Sequence, residues 1–309
     1  GGINANANAT IEFENDARME DSWEGINPVG TAAYTFWLGS SEFKNNRYVL
    51  RANTPASSDY FVRNCTFDSD PVEMLDPYDN TSLHNTGRRF YMENAIRFTG
   101  TMSIPAANFE DNTIQNSISG VVLQPSSANN FGMRNNTFKN NLLVSVYAED
   151  AGDVTIENTS DIEVPTSYST SLYGTQVSDV ETALSLDLTG ADIYGVAAHS
   201  TTELIIRNST IEQDPGNTDD LFGSSLDRTG ILADDSDLDV RDATISYFDY
   251  GMYLNNSDAV FLEDNISIGH KYHFYVNGPS ITSTDLDMTC NEMRYGASTT
   301  SFDKYGLYV

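Results

Sequence analysis

Positive charge is what this sequence has least of. Lys44, Lys139, Lys271 and Lys304 are its only lysines, and Lys and Arg together number 16 against 45 Asp and Glu, a net charge of −29 over 309 residues. A surface of that sign repels phosphate backbones and anionic lipid headgroups, which excludes nucleic acid as a partner. The acidity reads as a solvated face suited to a saline medium, with calcium or a cationic partner as the functional alternative. Long apolar runs are missing as well. No stretch of about 18 apolar residues occurs, so direct membrane insertion is not expected. Cysteine is nearly absent: Cys65 and Cys290 stand alone. There is no initiator Met and no signal peptide, and the chain runs from Gly1-Gly2 to Val309 inside an apparent strand. Both ends look cut, so the expectation is one domain, residues 1–309, from a longer chain continuing past the C-terminus.

What is present is a repeat. A six-residue string reads VRNCTF from Val62, FEDNTI from Phe109, MRNNTF from Met133, IRNSTI from Ile206 and VRDATI from Val240. LEDNIS from Leu262 and IENTSD from Ile156 are weaker copies. The spacings 109 to 133, 133 to 156 and 240 to 262 are 24, 23 and 22 residues; 62 to 109 and 156 to 206 are about two such steps. The step from 206 to 240 is one period with an insertion after Ile211, where GNTDDLFGSS falls. A fixed period with loop insertions is the signature of a solenoid. A second landmark precedes the string: GVVL at Gly120, GVAA at Gly195, GILA at Gly230 and GMYL at Gly251, with GLYV at Gly306 in the same style.

Apolar residues alternate with a period of two within each segment, as strands require and helices do not. Each repeat therefore reads as three short strands. The fold expected is all-β: a right-handed, single-stranded parallel β-helix of about 12 coils of 22–24 residues. At ~4.8 Å per coil the two cysteines stand ~43 Å apart, beyond disulfide reach, and both are expected free. Inward Phe67, Phe109 and Phe138 should stack in the core. The Asn or Asp of the string sits where two strands meet at a tight bend, a position that favours left-handed backbone. Asn64, Asp111, Asn135, Asn208, Asp242 and Asp264 are thus expected to form a structural Asn/Asp ladder rather than a catalytic set.

The repeat resembles the right-handed β-helix family that includes pectate lyases, polygalacturonases, phage tailspikes and many bacterial surface proteins. EFKNNRYVLRA, DYFVRNCTF, NAIRFTGTMSIPAANFEDN and YGVAAHSTTELIIRNSTIEQ further resemble β-helical regions of large Bacteroidota proteins exported by the type IX system. That resemblance implies a secreted or cell-surface protein, whose partners would be glycans or other surface and secretion-system proteins.

Polygalacturonases use an Asn-Thr-Asp, an Asp-Asp, a Gly-His and an Arg-x-Lys on successive coils. Here Asn217, Thr218, Asp219 and Asp220, then Asp234 and Asp235, then Gly269 and His270 supply partial matches, and paired carboxylates could support inverting hydrolysis. The spacings do not fit one step per coil, and no Arg-x-Lys follows. Arg88 and Arg89 with Asp-rich stretches give a weaker lyase-like set, opposed by the charge. Asp235, Asp237 and Asp239 alternate as if on one strand face and are the candidate calcium ligands. His270 and His273, three apart, should point to opposite faces as surface or turn residues. Outward tyrosines, as in YFDYGMY from Tyr247, could offer sugar-stacking platforms; strand propensity and packing are the plainer reading. The favoured function is a non-catalytic structural, adhesive or glycan-binding segment of a larger secreted protein. The alternatives are a polysaccharide lyase or hydrolase of the pectinolytic type and a tailspike-like viral receptor binder.

Overall fold

In the computed structural model the described residues are 3–6, 9–22, 25–29, 33–53, 58–69, 92–141, 143–159, 161–164, 193–213, 228–277, 286–294 and 305–308. They form three sheets, all parallel, of 11, 10 and 10 strands. The chain visits the sheets in strict rotation, so each strand pairs with the one three places on. The first sheet runs from Ile3–Asn6 to Tyr305–Tyr308, the second from Thr10–Phe13 to Leu286–Thr289 and the third from Arg18–Glu20 to Glu292–Arg294. This order is consistent with a parallel β-helix.

The recurrent string explains the register. Val62 pairs with Phe109, Met133 with Ile156, Ile156 with Ile206, Ile206 with Val240 and Val240 with Leu262. Each apolar anchor of one string thus lies against the anchor of the next, across steps of 22 to 50 residues. Period-two alternation does the rest: in Glu203–Arg207, Leu204 and Ile206 are buried while Glu203, Ile205 and Arg207 are partly exposed. The inward residues build one continuous core. Phe67 stacks on Phe43 at 5.1 Å; Phe109 and Phe138 are also buried, the latter between Ile114 and Ile162.

Two recurrent positions meet special demands. The first is the glycine landmark. A Cβ on Gly230 would lie 2.6 Å from the Gly251 carbonyl oxygen and 2.8 Å from Ile245 Cγ2; on Gly195 it would meet the Gly230 carbonyl oxygen and Ile211 Cγ2, both at 2.7 Å. The first sheet approaches the third-sheet isoleucines too closely there for a side chain. Gly230→Ala is therefore expected to lower the unfolding free energy by about 2 kcal/mol, measured by denaturant titration.

The second is the bend. Asn64, Asp111, Asn135, Asn208, Asp242 and Asp264 all have φ between 45 and 58°, the left-handed region. All six side chains are exposed. The inward polar contacts come from the following residue instead. Asn112 Oδ1 accepts from the Cys65 N–H at 3.0 Å, and its Nδ2 donates to the Val62 carbonyl at 2.8 Å. Asn136 accepts in turn from the Asn112 N–H, and Asn265 from the Ala243 N–H, each at 3.0 Å. Where the position is a hydroxyl, Ser209 Oγ takes the Thr159 N–H at 3.2 Å. The two jobs expected of one residue are split: the left-handed residue turns the chain outward, and its successor is thereby aimed into the core.

Candidate binding face

The other bends obey the same rule, and this relocates several candidate site residues. Asp235 has φ 47° and is the left-handed residue between the first and second sheets, not a strand residue. Its carboxylate accepts from Asn256 Nδ2. Asp237 opens the strand Asp237–Arg241 and accepts the Ala259 N–H at 2.9 Å. Asp239 lies on the outer side of that strand with both carboxylate oxygens taken by Arg207 and Arg241. Burial works to raise its pKa, but the two guanidinium groups prevail and hold it below the usual carboxylate value. The three expected calcium ligands thus do not converge. Among the described residues, no group of three or more His, Cys, Asp or Glu side chains could hold a metal ion. Asp235 and Asp237 instead line an open depression of about 310 Å³ with Thr202, Asn256 and Asp258.

Asp234 and His270 are likewise held apart. Asp234, at the end of a first-sheet strand, accepts from Asn255 Nδ2 at 2.5 Å and sits 3.0 Å from His199 Nδ1. His270 is buried at a different bend, between the third and first sheets. The Phe248 N–H donates to its Nδ1 at 3.0 Å, and its Nε2 reaches the Ile245 carbonyl at 2.9 Å. Asp219 and Asp220, like Asn217, Thr218, Arg88 and Arg89, lie outside the described residues.

The expectation for His270 and His273 needs correcting. Neither is a surface residue: they are 1% and 0% exposed, and their rings meet edge to face at 5.1 Å. The reason lies in Gly269, whose φ of 73° makes it the left-handed bend residue and turns its successor inward. Asn46 and Asn141 occupy the same place on other repeats. Asn46 accepts the Ser22 N–H at 2.9 Å and donates to the Met19 carbonyl at 2.9 Å; Asn141 serves Ser117 and Ile114 in the same way. His270 does the work of their carboxamide with two ring nitrogens, which fixes the Nε2–H tautomer. Burial pushes its pKa down to about 3, with neighbouring His273 adding to the shift.

Most arginines of the second sheet's outer face are occupied too. Glu110 lies between Arg63 at 3.4 Å and Arg134 at 2.5 Å, and Arg241 pairs with both Asp239 and Glu263. The thiol of Cys65 is buried and its pKa raised to about 11; Cys290 is exposed, and both are free.

An organised surface feature lies on the outer side of the first sheet. Tyr250, Tyr272 and Tyr305 are register partners and stack at 5.0 and 5.1 Å, with ring planes 8° apart in both steps. Three residues further along each strand, Tyr253, Tyr275 and Tyr308 form a second column at 4.8 and 5.0 Å. Between the columns the rings meet at 72 to 80°. The result is a herringbone of six tyrosines, partly exposed throughout and 37% and 43% exposed at Tyr305 and Tyr308. Offset and edge-to-face rings are the favoured aromatic geometries, so the array is held rigid by its own contacts. Lys271 Nζ lies 5.1 Å from the Tyr272 ring centre. Two residues beyond the second column, Asn277 Nδ2 donates to Asn255 Oδ1 at 3.1 Å, continuing the polar row of Asp234 and His199.

The sequence holds a signal for this face that the repeat obscures. Tyr-x-x-Tyr occurs at Tyr250, Tyr272 and Tyr305, and in each strand the two rings meet edge to face at 5.3 to 5.7 Å, so both lie on the same outer face. Comparison with protein-family models, with curated proteins and with solved structures returns no match.

Proposed function

We propose that the chain is a segment of a right-handed parallel β-helix serving as a non-catalytic adhesive domain of a larger secreted or cell-surface protein. In this reading it holds a neutral glycan against the tyrosine face. Right-handedness follows from the general preference of parallel crossover connections. The observation that carries the function is the tyrosine herringbone beside the Asn255 and Asn277 amides. Phenol edges and hydroxyls supply apolar contact and hydrogen bonds, and the amides supply both donors and acceptors. The features repeat along the stack at the strand spacing, which suits an extended polymer. Acidic polysaccharides are disfavoured by the charge of −29.

Affinity electrophoresis in gels containing neutral polysaccharides tests this reading. Retardation of the native chain is expected, with about a thirtyfold loss of affinity in Tyr253→Ala/Tyr275→Ala, since aromatic contacts of this kind carry about 1 kcal/mol each. Unretarded migration in every neutral polysaccharide would remove the glycan reading. A second reading has its own support: rings within a column cover one another's faces, leaving edges outward, and tyrosine-rich surfaces also serve protein interfaces. A reducing-end assay on acidic and neutral polysaccharides is expected to show no turnover; release of sugar ends would instead favour the pectinolytic alternative.

A further inference from the structure

We infer that Arg51 and Arg97, on the outer side of the first sheet, form a binding site for a single tetrahedral oxyanion: free sulfate or phosphate, or the phosphate monoester of a sugar. The site is separate from the tyrosine face and does not depend on what that face binds. Arg51 and Arg97 are register partners, so their side chains rise from adjacent strands. Their column continues through Val122 and Tyr147 to Tyr253, which places both on the outer face. Both are partly exposed. Like charges directly opposite on neighbouring strands destabilise each other. In a chain with 45 acidic residues and 16 basic ones, two adjacent cations are the reverse of what composition favours.

The other arginines show how this chain normally holds a guanidinium. Eight of the ten described arginines pair with a carboxylate among the described residues. Arg51 does not. It lies over the Tyr48 ring, 4.5 Å from the centre, and forms no hydrogen bond or ion pair with any described residue. Glu93, the carboxylate at that ring, is committed elsewhere: it is buried, and it takes Arg47 Nε at 2.7 Å and the Tyr48 hydroxyl. Arg97 Nη2 donates to a neutral partner, the Gln124 amide oxygen, at 2.6 Å. Gln124 donates in turn to Glu149, so an amide stands between Arg97 and that carboxylate. Burial and the charge of Arg51 both lower the Arg97 pKa, the expected cost of setting the two cations together.

A second observation comes from the neighbouring column. Asn94 and Ser119 follow Tyr48 in the column that leads to Tyr250. They are 1% and 0% exposed, and Asn94 Oδ1 and Ser119 Oγ have no hydrogen-bond partner among the described residues. The Ser119 hydroxyl thus stands one strand from Arg97 with a proton to donate. Charge and shape then give the ligand class. A guanidinium grips an oxyanion through two parallel N–H groups. Strands ~4.8 Å apart set two such forks around one ion. A tetrahedral oxyanion offers a separate edge to each fork, where a carboxylate has only one, and a dianion balances the pair. The net charge of −29 does not prevent this, because salt screens exposed charges beyond about 8 Å and leaves the adjacent guanidinium groups dominant. A polyanion lying along the acidic surface is still repelled.

Isothermal titration calorimetry on the full 309-residue chain tests this, with sodium sulfate and glucose 6-phosphate as separate titrants and ionic strength held constant with sodium chloride. One saturable site per chain is expected with sulfate. Arg51→Gln and Arg97→Gln are each expected to weaken binding about tenfold, the loss of one charge-assisted hydrogen-bonding group. Arg51→Lys, which replaces the fork by a point charge, is expected to lose less. Arg207→Gln removes the same charge from the second sheet and is expected to keep native affinity. Circular dichroism on each variant confirms the fold; Arg51→Gln breaks no hydrogen bond and carries the test even if Arg97→Gln unfolds. Glucose 6-phosphate binding at least as tightly as sulfate assigns the site to a sugar monoester, and sulfate binding alone assigns it to the free ion. Absence of a saturable heat with both titrants overturns the inference. So does affinity unchanged in Arg51→Gln, or reduced as much in Arg207→Gln as in Arg51→Gln, which would make the effect one of overall charge.

Discussion

His270→Leu is expected to lower the unfolding free energy by about 4 kcal/mol, and His270→Asn by much less. Leucine fills a similar volume but offers nothing to the Phe248 N–H or the Ile245 carbonyl, and leaving a buried donor or acceptor unpaired costs about 1–3 kcal/mol each. Asparagine is what Asn46 and Asn141 place at the equivalent bend. The same geometry sets a pH dependence. The Nδ1 lone pair is committed to an N–H, so protonation there breaks the bond as well as burying a charge. With the folded pKa lowered from 6.5 to about 3, the unfolded chain binds more protons than the folded one across that interval. The stabilisation is complete above pH 6.5 and is lost as pH falls toward 3, amounting to about 4–5 kcal/mol at 1.36 kcal/mol per pH unit. Urea titrations from pH 7 to pH 4 are expected to show this slope in the native chain and a shallower one in His270→Asn. Equal slopes would mean that His270 is not the group responsible.

Asn112→Ala is expected to cost about 3 kcal/mol, while its neighbour Asp111→Gly stays within about 0.5 kcal/mol of native. Asn112 satisfies Cys65 and Val62 backbone groups and a third bond to Asn136 Oδ1 at 3.0 Å, all buried. Asp111 contributes its left-handed backbone, which glycine adopts without strain, and an exposed carboxylate that acts on Arg134. Chemical denaturation of the two variants side by side separates the roles. Comparable losses at both sites would return the structural weight to the exposed residue.

That pair shows how far the sequence could be read. The period, the strand triplets and the bend at Asp111 were legible because alternation and left-handed preference leave direct marks on residue type. The buried polar column was not. Its members are Cys65, Asn112, Asn136, Thr159, Ser209, Ala243 and Asn265, which look variable because an amide, a hydroxyl or a recipient backbone N–H can each complete the contact. His270 was misjudged for the same reason. Strand alternation predicts opposite faces for residues three apart, but His270 is turned inward by the bend at Gly269 and only His273 lies on the strand Tyr272–Asn277, so both histidines end inside. The carboxylates that suggested chemistry were placed by composition alone. Asp235 turns the chain and Asp239 bridges two arginines, roles that give no sign in the string DDSDLD. The tyrosine face needed the register, because its columns join strands 22 and 33 residues apart.

The steps between paired strings have a practical meaning. Ile156 pairs with Ile206 across 50 residues and Val240 with Leu262 across 22, yet each pair occupies the same column. Alignment is therefore enforced at the bends, by left-handed backbone and inward amides, and is indifferent to connection length. Such a molecule works as a ruler with interchangeable flags. Foreign peptides or whole binding modules spliced between Val164 and Ile193, or between Gln213 and Arg228, would be displayed at fixed intervals along a line while the frame beneath them stays put.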